Sequence, residues 1–198
     1  MLKAVIGDSL DPFLRGISTL IQRLGLKPNA LTFTGLGLNG LAAWALATGE
    51  WPIGSGLIIL AGFFDILDGA VARNCRQASS FGSFLDSVLD RYSDLCLLVG
   101  LLIFYSGRGS VLYPVLVGLS IMGTAVVPYS RARAETLIPK CNVGIMERAE
   151  RILLIFLGAA ISSLMPIVMW ILAIFTNLTV IQRIYYTWRQ TKGREERP

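Results

Sequence analysis

No histidine occurs anywhere in the chain, and its three cysteines, Cys75, Cys96 and Cys141, never approach a CxxC spacing. Those absences exclude a zinc site of the usual ligand set and a catalytic triad built on imidazole, so any bound metal has to be held by oxygen. Charge is scarce as well. Only 16% of the 198 residues are charged against 54% apolar, and the mean hydropathy is +0.61, a balance that belongs in a bilayer rather than in water. Residues 1–29 lack the unbroken apolar core of a secretory signal, because Asp8, Asp11, Arg15, Arg23 and Lys27 interrupt it, and the segment is expected to stay in the mature protein. The net charge of +5 does not point to nucleic acid, since the basic residues flank apolar runs and no separate polar domain presents them. Membrane lipids with anionic headgroups and phosphorylated substrates suit such flanking cations better.

What the sequence has in quantity is long apolar runs. Six can be drawn, at 30–48, 53–72, 81–105, 111–130, 152–165 and 166–183. About 20 helical residues cross a hydrocarbon core of roughly 30 Å. The first four runs meet that length, and the short fifth is expected to continue helically back through Met146, with tight turns at 49–52, 106–109 and 162–166. The expected fold class is therefore all-α and integral to the membrane, six transmembrane helices forming one catalytic domain over 30–187. Ahead of it Leu10, Phe13, Leu14, Ile17, Leu20, Ile21 and Leu24 recur at helical spacing, which predicts an amphipathic helix within 1–29 lying on the cytoplasmic leaflet. Residues 188–198 read as a charged cytoplasmic tail, frayed from Arg189 onward. With the N-terminus in the cytoplasm, Arg108 is the one basic residue left outside, so the positive-inside rule makes this a multi-pass protein of the cytoplasmic membrane with both termini cytoplasmic.

Acid inside the second and third runs is the informative feature: Asp65, Asp68, Asp86, Asp90 and Asp94. An ionised aspartate facing lipid costs several kcal/mol, so each needs a partner or a wet cavity. Asp65 and Asp68 are three apart and Asp86 and Asp90 four apart, and either separation puts both carboxylates on one helical face. Both pairs lie near the cytoplasmic ends of their runs. Four converging acids without bases would repel strongly, and one or two Mg²⁺ or Mn²⁺ ions would relieve that repulsion while leaving positions open for phosphate oxygens. The bland alternative is that they pair with Arg73, Arg76 or Arg91 to hold the bundle together. For Asp94 alone that structural reading, with Arg91 as partner, is the preferred one.

The run Asp65-x2-Asp68-Gly69-x2-Ala72-Arg73-x8-Gly82-x3-Asp86-x3-Asp90 resembles the signature of the CDP-alcohol phosphotransferase family. The resemblance implies six membrane helices, usually in a homodimer. It also implies that Asp65, Asp68 and Asp86 hold the metals, that Asp90 completes the metal site and serves as general base, and that two ions are bound. Gly69 and Gly82 would then let the nucleotide approach the backbone, and Arg73 would meet the CDP phosphates. Asn29 and Thr32, in a Pro28-Asn29-Ala30-Leu31-Thr32 opening similar to the family's, would help bind the cytidine, although a plain helix start explains them nearly as well. Metals would neutralise the pyrophosphate of CDP-diacylglycerol or CDP-archaeol while the acceptor hydroxyl gives its proton to Asp90.

The acceptor has to be read from two basic clusters, 129–135 and 147–151. Taken singly, their arginines are topology markers. Together they resemble the branch of the family that makes phosphatidylinositol phosphate, or its archaeal counterpart, from inositol 1-phosphate. That resemblance assigns Arg131, Arg151 and Arg183 to the acceptor phosphate, with Arg133 and Arg148 in support; a guanidinium can donate two hydrogen bonds to one phosphate. Ala149 stands where bacterial members often have proline, which leans toward an archaeal-like sequence and leaves the lipid open. Glycerol 3-phosphate as acceptor, giving phosphatidylglycerol phosphate, is the nearest rival. An aspartate-rich membrane prenyltransferase and a cation transporter are more distant ones.

Overall fold

The structure, a computed structural model, describes residues 28–74 and 79–195. The amphipathic helix expected around 10–24 lies outside the described residues. Within them the chain forms α1 (Pro28–Thr48), α2 (Trp51–Asn74), α3 (Ser80–Ser106), α4 (Leu112–Ala134), α5 (Arg148–Ala160) and, after a 3₁₀ turn at Ser162–Leu164, α6 (Met165–Glu195). Local chemistry marks the boundaries. Pro28 opens α1, where its missing N–H costs nothing, and Gly49, at φ 85, closes the turn into α2. Ser79 caps α3 by accepting a 2.9 Å hydrogen bond from the Gly82 N–H.

Among the described residues no strand occurs, and four stretches are long and apolar enough to cross a membrane: Asn29–Thr48, Trp51–Val71, Leu112–Ala134 and Ser162–Lys192. The other two helices fall short for different reasons. α3 is long but carries Asp86, Asp90, Arg91 and Asp94, whereas α5 has 13 residues and spans about 20 Å at 1.5 Å per residue. α5 also begins at Arg148 and does not reach back through Met146; Glu147 is extended instead. The last helix corrects another expectation, because it is helical from Arg189 as far as Glu195 rather than frayed. Charge alone does not end a helix. The Thr187 and Thr191 hydroxyls bond back to the Arg183 and Thr187 carbonyls, and Lys192 lies over the Trp188 ring.

α2 and α3 both pack along α1, α4 packs on α3 and α6, and α5 bridges α2 and α6. Leu46, Leu97, Leu98, Leu101, Val117, Ile155, Met169 and Leu172 fill the common interior. Outward-facing Phe33, Trp44, Ile59, Ile103 and Met122 remain exposed, as a lipid-facing surface requires. Lipid is as apolar as leucine, so helices in it are held by close approach and by polar contacts. Gly100 supplies such an approach: a Cβ there would fall 2.2 Å from the Ala43 carbonyl oxygen of α1.

Candidate active site

Between α2 and α3, which hardly touch each other among the described residues, a polar cleft opens against the start of α1. Asp65 and Asp68 from α2 and Asp86 from α3 each bring one carboxylate oxygen to within 4.8 Å of the others. The Thr32 hydroxyl of α1 and the Gly69 N–H both reach the Asp68 carboxylate. Asp68 is nevertheless buried, and its Oδ2 has no hydrogen-bond partner. An orphaned buried acceptor costs about 1–3 kcal/mol, and three anions at this separation repel. A divalent cation ligated by oxygen answers both costs, so the residues fit Mg²⁺ or Mn²⁺.

Asp90, one turn beyond Asp86, stands outside that triad. It pairs with Arg148 Nη2 at 2.9 Å. The same guanidinium donates from Nη1 to both oxygens of Asp65, at 3.2 and 3.0 Å, and from Nε to Asp94 Oδ1 at 3.3 Å. Asp94 is thus a structural acid, but its partners are Arg148 and Arg151 rather than Arg91, with Arg151 Nη2 donating to Asp94 Oδ2 deep in the bundle.

Of the nucleotide-binding candidates, Thr32 and Gly69 lie at the Asp68 carboxylate and Asn29 lies beside Gly82. A Cβ on Gly82 would lie 3.0 Å from Ser79 Oγ, a tight contact with the cap of α3, and 3.7 Å from Asn29 Oδ1, an ordinary one. Gly69 sits half-buried one residue past Asp68, and Arg73 lies in the last turn of α2, its side chain outside the described residues.

The five arginines expected on the acceptor phosphate divide into three groups. Arg131 and Arg183 meet at Glu147, with Nη1 of the first 3.8 Å and Nη2 of the second 3.6 Å from the same Glu147 oxygen. Arg183 is buried and is held by donating to the Val143 carbonyl at 2.9 Å and to the Val127 carbonyl. Gly144, at φ 138, brings the connecting chain over it. Arg131 is more open and also donates to Glu135 Oε1 and Asn142 Oδ1, each at 3.1 Å. The Cys141 N–H, and after it Arg131, holds the Glu135 carboxyl below the usual carboxylate range. Arg148 and Arg151 lie on the aspartates, and Arg133 stands apart with Nη1 3.5 Å from Thr136 Oγ1. Sequence reasoning missed Glu147 and Asn142, whose roles come from the fold of 135–147 and leave no spacing signal.

The family of CDP-alcohol phosphatidyltransferases matches residues 26–180. Archaetidylinositol phosphate synthase of Methanothermobacter thermautotrophicus is 38% identical over 183 residues, covering 90% of this chain and 91% of that protein. The crystal structure of Mycobacterium tuberculosis phosphatidylinositol phosphate synthase with CDP-DAG bound superposes with a TM-score of 0.83 at 28% identity, over 88% of this chain and 93% of that one. The same enzyme in complex with manganese and citrate gives 0.82 at 28% identity, over 88% of each chain.

Proposed function

The chain belongs to the CDP-alcohol phosphatidyltransferase family, and from that premise we propose that it transfers the phosphatidyl or archaetidyl group of a CDP-linked lipid to inositol 1-phosphate, releasing CMP. The meeting of Arg131 and Arg183 on a single anion, Glu147, one residue from the Arg148 that reaches the aspartates, carries this choice of acceptor. Two guanidinium groups that already converge on one carboxylate suit a phosphate on the acceptor, and a free polyol would have no use for them. The names of the relatives support inositol phosphate over glycerol 3-phosphate.

Asp65, Asp68 and Asp86, joined by Asp90, would hold two Mg²⁺ or Mn²⁺ ions. Bound there, the ions would offset the pyrophosphate charge and that of departing CMP. Asn29, Thr32, Gly69, Arg73 and Gly82 receive the CDP-lipid. Arg131 and Arg183 orient the acceptor through its phosphate, while Arg151, fixed on Asp94, shapes the cleft wall. The acceptor hydroxyl loses its proton to Asp90 as its oxygen bonds to the lipid-side phosphorus; the bond from that phosphorus to the CMP oxygen breaks, and CMP keeps the electron pair. In this reading all six helices cross or enter the membrane, the cleft and both termini face the cytoplasm, and two copies form a homodimer.

Purified protein given CDP-archaeol or CDP-diacylglycerol with Mn²⁺ and one acceptor at a time tests the assignment. CMP release with inositol 1-phosphate and none with inositol or glycerol 3-phosphate is the expected outcome. Release with glycerol 3-phosphate alone refutes it.

A further inference from the structure

Arg148 donates to three carboxylates at once. Nη1 grips both oxygens of Asp65, Nη2 holds Asp90 at 2.9 Å, and Nε holds Asp94 at 3.3 Å. Two of those acids belong to the proposed metal site, and the third does not. Asp65 cannot offer its lone pairs freely to a divalent ion while both oxygens serve a guanidinium. A dication and a monocation a few ångströms apart in a cleft with low dielectric walls also repel strongly.

We propose that Arg148 is a positioning residue, a built-in counter-ion that holds Asp65 and Asp90 until a divalent cation displaces it, after which Asp94 keeps it at the cleft wall. Asp94 is equipped for this. It is buried, it is fixed on its other oxygen by Arg151, and it lies one helical turn, about 6 Å of rise, beyond Asp90 on α3. The guanidinium can therefore release Asp65 and Asp90 while its Nε stays on Asp94, which it already holds. The exchange accounts for how acids packed so closely stay folded before metal arrives. The inference rests on the metal reading proposed above and is independent of the acceptor's identity.

Mn²⁺ binding to the full chain in detergent, without substrates, is read from the free-ion electron paramagnetic resonance signal for the wild type and Arg148→Gln. Removing a competing cation should tighten Mn²⁺ binding at least about fivefold, the low end of ordinary coupling between two ligands. Labelling of wild-type Arg148 by phenylglyoxal, mapped by mass spectrometry, should rise on Mn²⁺ saturation, and this second measurement decides the matter if the variant does not fold. Unchanged or weaker Mn²⁺ binding in Arg148→Gln, or labelling that Mn²⁺ leaves unmoved, overturns the exchange. A wild type that takes up no Mn²⁺ overturns the metal reading itself.

Discussion

Arg151 and Asp94 form an ion pair with side-chain exposures of only 4% and 2%, joining α5 to α3 in the interior of the bundle. The Met146 carbonyl takes a further hydrogen from Arg151 at 3.3 Å. Breaking a buried pair by removing one member costs about 3–5 kcal/mol, and without Arg151 the Asp94 Oδ2 would lose its partner while Arg148 still holds Oδ1 at 3.3 Å. Arg151→Ala should therefore lower the thermal midpoint in detergent sharply, and the double change Asp94→Leu with Arg151→Met should recover much of it. A raised acceptor KM with an unaltered midpoint would place Arg151 on the acceptor instead.

Asp90 offers a contrast with Asp68. Asp68 belongs to the carboxylate triad and has an orphaned oxygen, whereas Asp90 is held by Arg148 beside it. Asp90→Asn should cut kcat by about 10²–10⁴, the usual range for losing a general base, while Mn²⁺ and CDP-lipid still bind. Asp68→Asn should weaken Mn²⁺ binding directly. Near-normal turnover in Asp90→Asn would remove it from the role of base.

The helix period made much of this site legible, because acids three and four apart must share a face, and Asp65, Asp68 and Asp86 do converge. The family resemblance, carried by residues in one contiguous stretch, is matched over 26–180. Which arginine meets which acid was not legible. Arg148 is 83 residues from Asp65 and Arg151 57 residues from Asp94, so their pairing follows from where α5 docks, which no local pattern encodes. Apolarity misjudged α6 because a charged end can remain helical when threonines bond back to its own carbonyls.

Arg131 can be altered with less risk to the fold than Arg183, since its side chain is 42% exposed while Arg183 is buried against two carbonyls. A charge-assisted hydrogen bond is worth about 1.5–3 kcal/mol, so Arg131→Ala should raise the KM for the phosphorylated acceptor roughly 10- to 100-fold. The KM for CDP-lipid and the thermal midpoint should stay near wild type. An equal rise in both KM values would detach Arg131 from the acceptor.

Gly100 connects bundle packing to the site through α1. A Cβ at this position would lie 2.2 Å from the Ala43 oxygen, 2.8 Å from its carbonyl carbon and 2.9 Å from its Cα, all backbone atoms that no rotamer change can move. Gly100→Ala therefore has to push α1 away from α3, and overpacking of this kind costs about 1–3 kcal/mol. The displaced helix carries Asn29, beside Gly82, and Thr32, bonded to Asp68. The variant should lose Mn²⁺ affinity as well as thermal stability, although Gly100 lies more than two helical turns beyond Asp90. Gly56→Ala, whose added methyl meets nothing within 4 Å, is the matched control and should leave both quantities unchanged. If Gly100→Ala lowered the midpoint without touching Mn²⁺ affinity, α1 would be acting as a packing element only.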